Sequence, residues 1–379
     1  MTAGPGRRAP ALRTTRLAAH LGTALGIAIA ICFVTGLLSH WIQHPPGWFY
    51  WPTRPAWLYQ LTQGLHVACG VAAIPLALLK LAIVYPKLFA RPVIGSWRAP
   101  VAALRRGLER ASIAVLVVAL LFQLSTGLLN IAQWYPWRFF FTTAHYATAW
   151  VTVGAVLVHV GVKLPDIAAA YRRESDTRSA DPDSGPGRRA VLGAGLAAAA
   201  LAAVAVGGQS AGPLRRLAFL APRSGAGPQD LPVNRTAAAA RVGTAAASPD
   251  FRLHLTGPRT VDLSLSQLRA LPQHTVRLPI ACVEGWSRWA TWTGVRVADL
   301  ASLVGAPDGA ALRFVSIDVG PYGVSTLPAT HVRAADSLLA LQLNGADLDL
   351  DHGFPCRLIA PSRPGVTQTK WVRRIEVVT

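Results

Sequence analysis

Charge is what this 379-residue sequence has little of: Asp, Glu, Lys and Arg make up 15%, where a water-soluble globule carries about a quarter. Acidic residues are scarcest, 18 against 37 basic ones, for a formal net charge of +19. Cysteine is sparse too. The four present form no CxxC and no CxxCH, which argues against a disulfide scaffold, a zinc ribbon and covalent c-type haem. A 52% hydrophobic content argues against disorder. The basic excess suits nucleic acid or a membrane, and where the charges sit separates the two.

Splitting the chain at Ser210 separates two kinds of sequence. Before it lie 19 basic and 6 acidic residues; from Ala211 onward there are 18 and 12. The first part holds five apolar runs: Leu17 to Ser39, Leu61 to Leu79 continuing past Lys80 to Tyr85, Ala111 to Trp137, Phe139 to Val162, and Ala190 to Pro213. Each reaches the roughly 20 residues that cross a hydrocarbon core, and Lys80 could snorkel to the interface.

The connecting segments set the orientation. Arg7, Arg8, Arg13 and Arg16 precede the first run. Lys87, Arg91, Arg98, Arg105, Arg106 and Arg110 lie between the second and third, and Arg172, Arg173, Arg178, Arg188 and Arg189 after the fourth. The alternate segments hold only Arg54 and Arg138. This predicts a multi-pass protein of the cytoplasmic membrane, its N-terminus in the cytoplasm and everything after the fifth span on the outer face. Most of the +19 is then orientation signal. Lipid is an expected partner and nucleic acid is not.

The first outer segment (Trp41, Trp48, Phe49, Tyr50, Trp51, Trp57) reads as an aromatic belt that could also dock an outer domain. The expected division is a membrane domain over 1–170, a polar cytoplasmic linker over 171–187, a fifth transmembrane helix over 188–213, an outer linker over 214–230 and a soluble domain over 231–379. The stretch RRAVLGAGLAA (188–198) resembles a twin-arginine export signal and reads equally as an ordinary span behind positive-inside arginines.

Ionisable residues inside a bilayer are functional hypotheses by default. Four histidines lie in the first four spans: His20, His66, His145 and His159. His145 and His159 are 14 residues apart, which is within about 40° of four full turns and about 21 Å along one helix face. Alternating helix directions place His20 level with His159 and His66 level with His145, so each pair could clamp one iron. A single histidine of this kind reads more readily as a hydrogen-bond partner of a neighbouring helix. Zinc or a proton relay fits less well, because no carboxylate or cysteine shares these levels. Gly22, Gly26, Gly64, Gly70, Gly127 and Gly154 would leave room for a flat macrocycle.

With this layout, one histidine in helix one, one in helix two and two in helix four, the first 165 residues resemble the four-helix dihaem cytochrome b subunits of formate dehydrogenases and nickel–iron hydrogenases. The resemblance implies two b haems in series and exchange with the quinone/quinol pool near the membrane face.

From about Leu231 short alternating stretches (251–255, 312–317, 357–359) predict strands, and segments near 265–271 and 297–304 predict short helices, giving an α+β domain. It holds Cys282 and Cys356, each of which alone reads as a small buried hydrophobe. The run LPIACVEGWSRWATWTGVRVADL (278–300) closely resembles the cysteine segment of the sulfite oxidase family, which includes the periplasmic methionine-sulfoxide reductase catalytic subunit; CVEGWS is most like the latter. GPYGVSTLP (320–328), LLALQLNGADL (338–348) and DHGFPCRLIAPSRPGVTQTKWVRRIEV (351–377) resemble the same family in the same order.

The resemblance implies molybdenum bound as molybdopterin, with Cys282 as its protein ligand and Tyr322 at the active site. His352, Arg357 and Lys370 would contact pterin and phosphate, with Asn234 and Arg235 beginning those contacts. Cys356 is expected in the core. Glu284 is either a support of the metal site or one half of a salt bridge. The sequence stops soon after Lys370-Trp371, so the family's dimerisation domain is not expected, and no arginine upstream of Cys282 matches the sulfite-binding one. Sulfite is therefore less expected than another oxyanion, a sulfoxide or an N-oxide.

Together these readings give a membrane all-α four-helix haem bundle, a fifth transmembrane helix and a soluble sulfite-oxidase-like α+β domain. The expected function is a membrane-anchored molybdopterin-dependent oxidoreductase linked to quinone through two b haems. Flow from quinol to molybdenum would make it a reductase, and the reverse a dehydrogenase. The alternative is an electron-transferring cytochrome b whose outer domain only binds a ligand or partner.

Overall fold

The computed structural model describes residues 15–88, 100–176, 186–222 and 227–378. Arg7, Arg8, Arg13, Arg91, Arg98, Arg178 and most of the linker expected over 171–187 lie outside them, as do the side chains of Lys87, Arg105, Arg106, Arg173 and Arg188. The chain forms two compact units: Met1–Leu37 with Leu65–Gly208, and Leu38–Gly64 with Gln209–Thr379.

The long helices are α1 (Thr15–Gln43), α2 (Leu58–Leu88), α3 (Pro100–Ile131), α4 (Phe141–Asp176) and α5 (Pro186–Ala202), the last carried to Ser210 by a π turn and a 3-10 turn. All five paths are long and apolar enough to cross a membrane, and between 11% and 33% of the most apolar window of each is buried. Side chains such as Val118 and Leu157 stay exposed, an apolar surface that suits lipid better than water.

The centre of the first unit joins Leu21, Leu25 and Ala28 of α1 to Ala73, Leu76 and Ala77 of α2, with Leu120 of α3 and Ala199 of α5; α4 packs along α3. Lys80 donates to the Ala18 carbonyl on α1 at 3.3 Å. At Gly207 an added Cβ would lie 3.1 Å from Ala68 Cα, so the missing side chain lets the π turn after α5 lie against α2.

Two boundaries differ from the sequence expectation. Helix α3 stops at Ile131, not Trp137. Gln133 takes a left-handed φ of 52°, and Gln133 and Trp134 donate to the carbonyls of Asn130 and Leu129, the bond pair of a Schellman cap. The apolar run hides this, because Trp134 and Tyr135 are no more polar than the helix before them. Helix α4 continues past Val162, through Pro165, to Asp176, taking in the first residues of the expected linker.

In the second unit, residues 38–64 join the C-terminal domain although the sequence groups them with the membrane part. Trp51 Nε1 donates to the carbonyl of Ser362 at 2.7 Å, and Arg54 pairs with Asp336 at 3.0 Å. The aromatic segment therefore docks as expected, with Trp48 and Tyr50 left exposed.

The domain then runs α6 (Ala237–Ala240), α7 (Gly243–Ala246), β1 (Arg252–Thr256), β2 (Thr260–Ser264), α8 (Leu265–Ala270), β3 (His274–Ala281), β4 (Ser287–Arg296), α9 (Val297–Leu303), β5 (Ala311–Ser316), β6 (Val324–Leu327), α10 (Ala329–Val332), β7 (Leu338–Leu343), β8 (Ala346–Asp347), β9 (Arg357–Ile359) and β10 (Val372–Val378). One sheet has the order β2-β1-β10-β5-β6, parallel only between β1 and β10. The other runs β3-β4-β7-β8, with β9 also on β7. The expected strands and helices fall within a residue or two of these bounds.

Alternation sets the faces. In β1, Leu253 and Leu255 are buried while Arg252, His254 and Thr256 are exposed, the period of two of a strand with one covered face. These leucines meet Phe314 of β5, Leu300 of α9 and Leu339 of β7 in the main core, where Cys356 also lies, fully buried. The β3–β4 hairpin places Cys282 directly after β3, and Ala281 bridges to Pro364 in the loop before β10.

Candidate active site and the membrane histidines

Cys282 is 1% exposed and lines a cavity with Leu231, Pro232, Asn234, Ile280, Trp286, His352, Arg357, Gly365 and Lys370. The structure thus gathers five of the seven C-terminal residues that the resemblance placed at the cofactor site, all but Arg235 and Tyr322. Tyr322, on the β5–β6 loop and 38% exposed, is not among the lining residues. Its loop is nonetheless held near the cavity: Asp318 pairs with Arg235 at 2.9 Å, and Lys370 Nζ donates to the Arg235 carbonyl at 3.0 Å.

Burial, then the Glu284 carboxylate, raise the Cys282 thiol well above its ordinary value, opposed by the Glu284 backbone N–H and the charge of Lys370. Glu284 Oε2 accepts from Trp286 Nε1 at 3.2 Å, a bond within the turn that carries Cys282.

Two cations stand beside the thiol. Arg357, 1% exposed, donates to the carbonyls of His352 at 3.0 Å and Gln368 at 3.3 Å. It lies over the Trp292 ring at 5.2 Å, and its Nε has no hydrogen-bond partner among the described residues. Burial lowers it to about 9. Lys370 donates to the carbonyls of Arg235 and of Asp351, the latter at 2.7 Å. Burial, then the charge of Arg357, lower it to about 7, against the pull of Cys282, Asp351 and Glu284. His352 Nε2 donates to the Pro228 carbonyl at 2.6 Å, and burial lowers this histidine to about 4, so it is neutral at pH 7.

Gly353 makes the convergence possible. Its φ is 108°, and a Cβ there would stand 3.1 Å from the Cβ atoms of both Arg357 and Lys370. A buried and a half-buried cation held by neutral carbonyls, one with an orphaned donor among the described residues, call for an anion. A pterin phosphate beside a thiolate ligand fits this set. Sequence reasoning missed Trp286, Ile280, Leu231, Pro232 and Gly365, which carry no charge to mark them; a Cβ at Gly365 would reach within 3.7 Å of Cys282 Cα.

In the first unit the His66 and His145 rings meet at 6.3 Å between centroids. His66 Nδ1 donates to the Cys32 carbonyl at 2.9 Å, and His145 Nδ1 bonds Thr126 Oγ1 at 2.9 Å. Both Nδ1 atoms are tied, leaving Nε2 as the available ligand atom, the arrangement that orients metal-binding imidazoles. The two imidazoles are therefore candidate metal ligands.

Cys32 Sγ donates to the His66 carbonyl at 3.3 Å. The sequence argument that no cysteine shares these levels is therefore corrected: spacing along one helix does not fix the depth of another. His20 lies against Tyr171 at 4.9 Å between ring centroids.

Residues 241–379 match the family described as the oxidoreductase molybdopterin binding domain. Sulfite oxidase of Gallus gallus is 33% identical over 158 residues, 34% of this chain and 34% of its own length. Sulfite oxidase of Arabidopsis thaliana is 32% identical over 150 residues, 31% and 38% respectively. An uncharacterized oxidoreductase of Bacillus subtilis (strain 168), YuiH, is 35% identical over 115 residues, 30% and 57%. The chain thus spans 34% and 38% of the length of the two sulfite oxidases. The solved sulfane dehydrogenase SoxCD of Paracoccus pantotrophus matches at 24% identity over 34% of this chain and 38% of its own, with a TM-score of 0.32.

Proposed function

We propose, from the premise that the C-terminal part is a molybdopterin-binding oxidoreductase domain of the sulfite oxidase family, that the protein is a membrane-anchored oxidoreductase exchanging electrons with the quinone pool through two b-type haems. The observation that carries the reading is the buried Cys282 thiol beside the buried Arg357 and the half-buried Lys370, whose described hydrogen bonds go to backbone carbonyls. When bound, the molybdenum cofactor supplies two-electron oxygen-atom exchange with a small sulfoxide, N-oxide or oxyanion. Cys282 contributes the thiolate ligand. Arg357 and Lys370 hold the cofactor's phosphate, while Asn234 and His352 contact the pterin. Tyr322, on a loop tied to Arg235, faces the substrate.

His66 and His145 hold one haem, and His20 and His159 the other, in a bundle that spans the cytoplasmic membrane. The tied Nδ1 atoms of His66 and His145 support the first assignment; the second rests on the sequence layout. The competing reading, a cytochrome b with a non-catalytic outer domain, loses ground because the cavity keeps its thiol and both cations. Purified protein is tested by metal analysis and by a screen of sulfite, sulfoxides and N-oxides read through the haem absorbance. Molybdenum with substrate-driven haem oxidation or reduction is expected. Protein that stays free of molybdenum despite adequate cofactor supply overturns the reading.

A further inference from the structure

We infer that Gln63 and Ser210 are positioning residues for the Cys282 turn, fastening it from outside the hairpin that bears it; this rests on the reading of Cys282 as the molybdenum ligand. The turn is closed by its own bonds: Cys282 N donates to the Trp286 carbonyl at 2.9 Å, and Gly285 N to the Cys282 carbonyl at 3.1 Å. These bonds fix its shape but not its seat. Two further carbonyls of the same turn accept from elsewhere in the chain. Gln63 Nε2, on α2, donates to Val283 O at 3.1 Å. Ser210 Oγ, at the end of the fifth span, donates to Gly285 O at 2.8 Å.

Both donors are themselves held. Tyr59 Oη donates to Gln63 Oε1 at 3.3 Å and bonds Ser39 Oγ at 2.9 Å. The Gln63 amide can therefore present only its NH2 side to Val283. Gln60 Nε2 donates to the Ser210 carbonyl at 2.7 Å. Tyr59, Gln63 and Ser210 are all buried. Removing either donor takes from the turn a hydrogen bond that ties one of its carbonyls to a buried side chain, so the turn shifts and the sulfur shifts with it.

The test uses the full chain in two states. Made in cells without molybdenum cofactor, it reports the turn through the rate of maleimide labelling at Cys282, read by peptide mass spectrometry. Loss of one buried hydrogen bond is expected to speed labelling about fivefold in Gln63→Met and in Ser210→Ala. The increase should be smaller in Tyr59→Phe and absent in Ser210→Thr, which keeps the hydroxyl. Made with cofactor, Gln63→Met and Ser210→Ala should retain molybdenum but give shifted or broadened Mo(V) paramagnetic resonance lines, with Ser210→Thr like wild type. Metal lost from Ser210→Ala and kept in Ser210→Thr also supports the inference.

Unchanged labelling, or faster labelling with unchanged resonance lines, overturns it. So does a Ser210→Thr variant as disturbed as Ser210→Ala, since bulk and not the donor would then be responsible. Wild-type chain that takes up no molybdenum counts against the proposed function instead, and the labelling arm still reports whether the turn is fastened.

Discussion

Burial, reinforced by the Glu284 carboxylate, keeps the Cys282 thiol protonated at neutral pH in the cofactor-free chain, so taking up a metal there must release a proton. Cys356 is equally buried but sits in the apolar core, its Sγ on the Val372 carbonyl at 3.3 Å. Cys282→Ser should therefore bring the molybdenum content of purified protein to background while Cys356→Ser keeps it; equal content in both variants removes Cys282 as the ligand. Lys370 supplies a pH signature. Its folded value of about 7 lies below the ordinary 10.5. Below pH 7 both states hold the proton and the burial cost is complete; between the two values the unfolded chain holds more protons, so stability rises with pH. The Tm of cofactor-free protein should climb from pH 7 to about pH 9 more steeply in wild type than in Lys370→Met. Parallel profiles would show that Lys370 carries no such cost.

Among the helices, α1 is constrained where it passes His66. A Cβ at Gly36 would lie 3.0 Å from His66 Cε1, whereas Gly26 has nothing within 4 Å. On the proposed two-haem reading, Gly36→Val should abolish about half of the reduced-minus-oxidised b-type α band, as His66→Ala should, because His66 would be displaced. Gly26→Val should keep the full signal, and a full signal in Gly36→Val would dissociate His66 from haem binding. Elements also differ in how openly the sequence announces them. The turn between β7 and β8 is written in Asn344-Gly345, whose φ values of 50° and 85° are those such a pair favours in a tight hairpin. The end of α3 is not written that way, because Gln133 takes the left-handed position without being glycine.

At the scale of the whole molecule, the arginine asymmetry predicts which side of the membrane bears the cofactor domain. Val319, 93% exposed on the β5–β6 loop, is a suitable reporter. Val319→Cys should react with a membrane-impermeant maleimide added to spheroplasts. Labelling confined to inside-out vesicles would invert the topology.

Hydropathy, charge placement and strand alternation are local properties, so the sequence alone determined five apolar runs, three of the strands and two of the short helices, and it singled out the four histidines, while the chemistry expected of Cys282 came from its resemblance to a family. The tertiary structure decided what depends on distant segments closing on one another. It brought Arg357 and Lys370 together across Gly353, tied the Nδ1 atoms of His66 and His145 while leaving His20 against Tyr171, and set Gln63 and Ser210 on the Cys282 turn. Those outcomes rest on helix depth, crossing and the burial of particular carbonyls, which no spacing along a single chain specifies.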